Sequence, residues 1–351
     1  MMNICMISDN NYTIYLGTLI TSILKNSSSD DNFCFHVITE DMTDDNKNKL
    51  LQLKEIKNFD IKFYVPRIDR YKSWEKKYKE LIVWRYNVFI KLDIPEILKD
   101  LDKVLFLDCD MIVLKSLREV FEIDINDYLI VATRRYCHEN QILEKHFVSN
   151  NKLNKNKIKD SFFDDDDLHK FGIEDKNLNE WVNSGFMYMN LKRLRGLITE
   201  KDLEEHLIRC IEYKIKFGDE IFFNYFIKND QIKRIDGKYN VGAITLYDKN
   251  FYDDNICIAH YTGGFMPISL PPSYLPIYEK NMYFYKMWEY FVLTPWFKEN
   301  PIYYINIFNQ YDITLLNRKI NKIIDFIVWI IPSKKLRDKI RSKIKYEFEL
   351  L

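Results

Sequence analysis

The segment Lys103-Val104-Leu105-Phe106-Leu107-Asp108-Cys109-Asp110-Met111-Ile112-Val113-Leu114-Lys115 sets two carboxylates directly after a run of four apolar residues. A run of this kind, bounded by charge, predicts a strand buried on both faces in the middle of a mostly parallel sheet. Ligands of open α/β sheets bind beyond the carboxyl ends of the strands, so Asp108 and Asp110 are expected in a crevice, with Cys109 turned the opposite way. Two carboxylates this close repel unless a cation joins them. A hard divalent ion, Mn²⁺ or Mg²⁺, itself bound to a diphosphate, meets that need. The competing reading is a pair of ordinary strand-end carboxylates that cap a turn.

Positioning such a pair requires a sheet, and the preceding residues supply its rhythm. Asn3 to Ile7 and Phe33 to Ile38 are short apolar runs separated by a helical segment, Tyr15 to Lys25, and the loop Asn26 to Asp31, the pattern of a βαβ unit. Thr43 followed by Asp44 and Asp45 predicts an N-cap and an acidic first turn, opening a helix that carries Leu50, Leu51, Leu53 and Ile56. A strand over Ile61 to Val65 and an aromatic helical stretch over Trp74 to Leu98 then lead to the Asp-x-Asp strand. The first 115 residues thus alternate β and α as a nucleotide-binding sheet does. Leu203, Leu207, Ile208, Ile211 and Ile215 recur at helical spacing and predict a core-facing stripe.

At 351 residues the chain can bury a large core, and its formal net charge of zero does not call for a nucleic-acid partner. The charge is uneven. Asn317 to Lys345 holds ten Lys/Arg against Asp325 and Asp338, which suggests a basic tail with an anionic partner. The six cysteines never fall at the C-x₂-C spacing of a zinc site and read as reduced, buried thiols. Met1-Met2-Asn3-Ile4-Cys5 lacks the features of a signal peptide, and the expectation is cytoplasmic residence. His138 to Glu180 is polar, includes Asp164-Asp165-Asp166-Asp167, and reads as an insertion or lid. The aromatic stretch Tyr274 to Phe297 is expected to pack, with sugar stacking as the other use.

Six ordered segments between residues 3 and 267 together resemble glycosyltransferase family 8, the retaining enzymes of GT-A fold. Ser8-Asp9-Asn10-Asn11-Tyr12 is similar to the family's turn for the uracil of a UDP-sugar, so the resemblance implies Ser8, Asp9, Asn11 and Tyr12 at the base. Lys91-Leu92-Asp93-Ile94-Pro95 stands where the family has Arg-x-x-x-Pro, seventeen positions before Asp108, and Lys91 would bring positive charge to the phosphates without a bidentate fork. The Asp108-Cys109-Asp110 strand and Trp181-Val182-Asn183-Ser184-Gly185 follow, with Asn183 implied at the donor sugar or the acceptor. Gly218-Asp219-Glu220 resembles the family's Asp-Gln segment. Asp219 would hold donor hydroxyls, and Glu220 replaces an amide beneath the anomeric carbon. Last, His260-Tyr261-Thr262-Gly263-Gly264-Phe265-Met266-Pro267 resembles His-x-x-Gly-x-x-Lys-Pro. His260 would complete the metal shell, Gly263 would admit the pyrophosphate, and Met266 replaces a lysine.

The resemblance implies an α/β chain with a Rossmann-like mixed sheet flanked by helices: a catalytic domain over residues 1–270 and a helical C-terminal region over 271–351. It implies a retaining transfer of glucose or galactose from UDP-glucose or UDP-galactose, with Mn²⁺ or Mg²⁺, to a saccharide or lipid-linked saccharide acceptor of cell-surface polysaccharide or lipopolysaccharide. Glu220 would stabilise an oxocarbenium ion or form a covalent glycosyl intermediate, with attack on the same face as the leaving phosphate preferred. Two other readings stand beside this. A catalytically weakened UDP-sugar-binding module is motivated by Met266 and Glu220. A haloacid-dehalogenase-like phosphatase is motivated by Asp-x-Asp alone. In the tail, Ile320, Ile323, Ile324, Ile327, Val328 and Ile331 share a helical face among lysines and arginines, which suits the anionic inner face of the cytoplasmic membrane or, equally, packing on the core.

Overall fold

The computed structural model describes residues 1–79, 85–134, 180–212, 218–242, 246, 252–261, 266–269, 280–329 and 333–349. The opening βαβ unit consists of β1 (Met2–Ile7), α1 (Thr13–Lys25) and β2 (Phe33–Ile38), with β1 and β2 parallel and in register from Met2 opposite Phe33 to Ile7 opposite Ile38. Next come α2 (Asp44–Gln52) and β3 (Asp60–Tyr64). Thr43 caps α2 as expected, its hydroxyl accepting the Asn46 N–H at 3.3 Å with Asp44 and Asp45 in the first turn.

The stretch from Trp74 to Leu98 is not one helix. It is divided into α3 (Asp69–Lys77), a 3₁₀ segment Tyr86–Asp93 and α4 (Ile94–Ile97), with residues 80–84 outside the described residues. Pro95 is tolerated because it falls in the first turn of α4, where no amide is needed. The chain continues through β4 (Lys103–Leu107), β5 (Met111–Val113), α5 (Arg118–Phe121), β6 (Ile130–Arg134), β7 (Val182–Asn190) and α6 (Leu191–Leu194). It then forms α7 (Glu200–Glu212), α8 (Asp219–Phe226), β8 (Ile232–Ile235), β9 (Val241–Gly242) and β10 (Ile258–His260). Four helices close it: α9 (Met282–Phe291), α10 (Pro295–Glu299), α11 (Pro301–Trp329) and α12 (Lys334–Glu349).

Among the described residues, seven strands form a mixed sheet in the order β3-β2-β1-β4-β7-β6-β8. β4 is central, parallel to β1 and antiparallel to β7. A second sheet, β5-β10-β9, grows from the turn after β4, because residues 108–110 redirect the chain before β5 begins. Antiparallel pairing there sets His260 opposite Met111, and the Tyr261 amide donates to the Asp110 carbonyl at 2.8 Å. Two residues distant in sequence are thereby fixed side by side.

Apolar side chains cover both faces of the large sheet. One cluster joins α1 to the aromatic segment, where Tyr283, Phe284, Trp288, Tyr290 and Phe291 are buried, so these rings pack rather than stand open to a ligand. The other packs Phe89, Phe106 and Phe222 beneath the 3₁₀ segment and α8. On α11, Ile307 and Tyr311 belong to the first cluster, and the Tyr311 hydroxyl donates to the carbonyls of Met266 at 3.0 Å and Ser269 at 2.7 Å. Farther along, Ile323 and Trp329 are exposed, and Arg341 of α12 pairs with Asp325 of α11 at 2.7 Å. Among the described residues no helix is long and apolar enough to cross a membrane.

Candidate active site

Asp108 leaves the carboxyl end of β4, and its amide donates to the Gly185 carbonyl at 2.9 Å, so β7 brings Gly185 directly across from it. Asp110 follows after Cys109. The Cys109 thiol faces inward and donates to the Ile7 carbonyl at 3.2 Å, so it is the backbone of Cys109, not its sulfur, that the site can use. His260 Nε2 lies 3.1 Å from Asp110 Oδ1 and 3.9 Å from Asp108 Oδ2. Donor atoms of the three residues all fall within 4.8 Å of one another.

Room for this cluster depends on the missing side chain at Gly185. A β-carbon there would stand 2.5 Å from His260 Cε1, 2.8 Å from Asp108 Oδ2 and 2.9 Å from Asn183 Oδ1. No side chain fits at those distances without moving His260, Asp108 or Asn183.

Lys91 reaches the cluster from the 3₁₀ segment. Its ammonium, 5% exposed, lies 2.9 Å from Asp108 Oδ1 and 2.6 Å from Asp219 Oδ2, with the Phe106 ring 5.0 Å away. Burial opposes its charge, but the Asp108 and then the Asp219 carboxylates overcome that penalty and hold Lys91 above the ordinary lysine range. Sequence reasoning directed this lysine at a phosphate; the fold commits it to two carboxylates, because a buried ammonium requires partners. Burial pushes the Asp108 carboxyl above its ordinary range, Lys91 pulls it back, and Asp110 adds to the rise. Asp108 and Asp219 share the Lys91 ammonium, and Asp110 stands beside Asp108 and His260, so that with all three acids ionised one divalent cation would balance the cluster. The oxygen and imidazole donors suit Mn²⁺ or Mg²⁺, so this donor set fits the expected ion.

Around the cluster lie the remaining expected residues. Ser184 Oγ donates to Asp219 Oδ2 at 2.6 Å, and Asn183 Nδ2 donates to Glu220 Oε2 at 3.1 Å. α8 begins at Asp219, so both acids occupy its first turn, where the helix dipole favours negative charge. At the end of β1 the Tyr12 amide donates to Asp9 Oδ1 at 2.8 Å, Ser8 Oγ donates to the Asp9 carbonyl at 2.9 Å, and Asn11 is exposed. Burial, then the Asp110 carboxylate, holds the Tyr12 phenol above its usual range. Gly263 lies outside the described residues, as do residues 138–179 of the expected lid.

Some participants carried no sequence signal. Asn240 stands just before β9, and its Oδ1 is 2.8 Å from His260 Nδ1. Arg85 approaches Asp9 Oδ2 at 3.9 Å. Met266 is buried in the apolar core, so its position delivers no cation. Lys238 pairs with Glu119 at 3.7 Å and lines a separate polar cavity of about 670 Å³ with Lys115 and Arg118.

The chain resembles several known proteins. It is 24% identical over 294 residues to a lipopolysaccharide 1,2-glucosyltransferase of Escherichia coli, covering 80% of this chain and 77% of that protein. It is 24% identical over 183 residues to general stress protein A of Bacillus subtilis, covering 51% of this chain and 61% of that one. The latter match thus spans less than two thirds of the relative's length. Among solved structures, the galactosyltransferase LgtC in complex with donor and acceptor sugar analogues superposes with a TM-score of 0.59 at 17% identity, covering 84% of this chain and 96% of that one. The bifunctional glycosyltransferase WbbM also superposes at 0.59, with 18% identity over 88% of this chain and 51% of that one. These likenesses identify the fold as GT-A. Residues 3–267 match the model of glycosyl transferase family 8, and the chain belongs to that family.

Proposed function

We propose that this protein is a metal-dependent, retaining hexosyltransferase that takes glucose or galactose from a UDP-sugar and passes it to a saccharide acceptor of cell-surface polysaccharide or lipopolysaccharide. The observation that carries this reading is the convergence of Asp108, Asp110 and His260 at the end of β4, their donor atoms within 4.8 Å of one another. A bound Mn²⁺ or Mg²⁺ supplies Lewis-acid stabilisation to the diphosphate as it leaves the anomeric carbon. Asp9 and Tyr12 are assigned to the uracil, with Ser8, Asn11 and the backbone of Cys109 alongside, and Gly263 is assigned to the pyrophosphate by the family resemblance. Asp219, fixed by Ser184 and Lys91, is assigned to donor hydroxyls. Lys91 serves the phosphates indirectly, by holding Asp108 and Asp219 in place.

Retention follows from attack of the acceptor hydroxyl on the face that the phosphate leaves, the phosphate oxygen taking the proton. Asn183 holds the Glu220 carboxylate, which stabilises the developing oxocarbenium charge from the opposite face. A glycosyl adduct on Glu220, sought by mass spectrometry of stalled enzyme, would instead establish a covalent route.

The test is a screen of nucleotide sugars for UDP release with Mn²⁺ present. Release from UDP-glucose or UDP-galactose that stops with chelator supports the assignment. Tight UDP-sugar binding with no turnover would favour the weakened binding module, a reading motivated by the burial of Met266 where the family has a lysine. The family match leaves the phosphatase reading without support. The basic helix α12, with Lys334, Lys335 and Leu336 exposed, and the exposed Trp329 at the end of α11 are assigned to the anionic cytoplasmic surface of the membrane, where lipid-linked acceptors reside. Replacing Lys334 and Lys335 by alanine is expected to weaken sedimentation with anionic vesicles by about 1 kcal/mol per charge. Unchanged sedimentation would remove the tail from membrane attachment.

A further inference from the structure

We infer that Asn240 is a positioning residue for His260, and that it forms the middle of a directional hydrogen-bond chain running from the ion site to Glu220. The inference rests on the reading of Asp108, Asp110 and His260 as a cation site.

The direction of the chain follows from two groups whose roles admit no choice. The backbone N–H of Gly185 can only donate, and it points at Asn183 Oδ1 at 2.9 Å. The Asn183 oxygen is thereby fixed, and its Nδ2 faces Glu220 Oε2 at 3.1 Å, where an ionised carboxylate can only accept. Asn240 Nδ2 donates to that same Asn183 oxygen at 2.9 Å, which leaves Asn240 Oδ1 for His260 Nδ1 at 2.8 Å. An amide oxygen cannot donate, so Nδ1 carries the proton. His260 Nε2 is thus the ring nitrogen that faces Asp110 Oδ1 and Asp108 Oδ2, and in the neutral imidazole it is the one that carries the lone pair.

With Nε2 in its neutral form, these three atoms are donors that a cation would join. Orientation of a ligating imidazole through its other ring nitrogen also raises its basicity as a ligand. The fold builds this contact directly. Asn240 leads into β9, and β9 pairs with β10 so that Gly242 lies opposite His260. Glu220 gives the chain its second fixed end. A glutamine at that place could turn its amide either way and would leave the direction to Gly185 alone. In this chain the ion site and the carboxylate assigned to the sugar are one hydrogen-bonded unit.

The experiment is a Mn²⁺ titration without sugar donor, read from the electron paramagnetic resonance signal of the free ion, on the full chain and on Asn240→Leu and Asn240→Asp. Leucine has a similar volume but no acceptor, and it is expected to weaken Mn²⁺ binding by about 10–100-fold. Aspartate keeps an acceptor for the Nδ1 proton and is expected to lose less than leucine. Equal losses in both variants, or none in Asn240→Leu, overturn the inference. If the wild-type chain itself binds no Mn²⁺, the failure lies with the ion-site reading. If Asn240→Leu does not fold by circular dichroism, ¹⁵N spectra of the histidine side chains in wild-type protein with Mg²⁺ decide. A protected Nδ1–H on His260 is expected, and an Nε2–H overturns the inference.

Discussion

His260 and His206 are buried to nearly the same degree, 3% and 1% exposed, yet their surroundings differ completely. His206 lies on α7 among rings, with centroids of Tyr225, Phe222 and Phe226 at 4.2, 4.5 and 5.4 Å. His260 lies among an amide oxygen and two carboxylates, at the join of β5 and β10. Burial alone therefore does not mark a functional histidine. What sets His260 apart is the convergence of donor groups around a ring nitrogen whose partner nitrogen meets Asn240, an arrangement that a cation would join.

The sharpest way to break this contrast is at the ion site. Asp110→Ala is expected to lower the rate of UDP release by about 10²–10³-fold, the scale of losing a group that stabilises transition-state charge. A rate within experimental error of wild type would remove Asp110 from the metal shell. Gly185→Ala comes next. The added methyl displaces His260 or Asp108, and a ligand shift of this size is expected to cost about 10²-fold in turnover while leaving the far-UV spectrum native. Wild-type turnover would mean that the site tolerates rearrangement.

On the other side of the comparison the effect is smaller and concerns stability. Burial, then the charge of Arg209, pushes the His206 imidazole down to about 3. Between the unfolded value near 6.5 and that folded value, the unfolded chain binds a proton that the native chain refuses. Stability is therefore present above about pH 6.5 and falls as pH drops, by up to about 1.4 kcal/mol per pH unit from this residue. His36, pushed down to about 4 by burial and then Lys62, adds to the same trend. Urea melts of His206→Leu between pH 7 and pH 4 are expected to show a shallower decline than wild type. An identical slope would mean that His206 is protonated in the native state.

Much of the site was legible because chemistry and local pattern coincided. The apolar run before Asp108 is β4, and the βαβ rhythm of residues 3–38 is β1-α1-β2 within two residues at each boundary. His260 could be joined to the aspartates only through the family resemblance, since the contact is created by β5 and β10, strands of three residues each that leave no periodic trace. Asn240 was illegible for the same reason: an asparagine before a two-residue strand looks like any turn residue. Lys91 was found through the family resemblance, but its partners were not, because only the packing of the 3₁₀ segment over β4 and α8 determines what its ammonium meets. The division of residues 74–98 was likewise hidden, since aromatic residues suit a helix and a packed turn equally well.

A structure determined with Mn²⁺ and UDP tests the proposed ion site most directly. The expected result is one ion bound by oxygens of Asp108 and Asp110 and by His260 Nε2, at about 2.0–2.3 Å, with the diphosphate completing the shell and Tyr12 against the uracil. Density for the nucleotide elsewhere, or an ion that His260 does not contact, would contradict the proposed site.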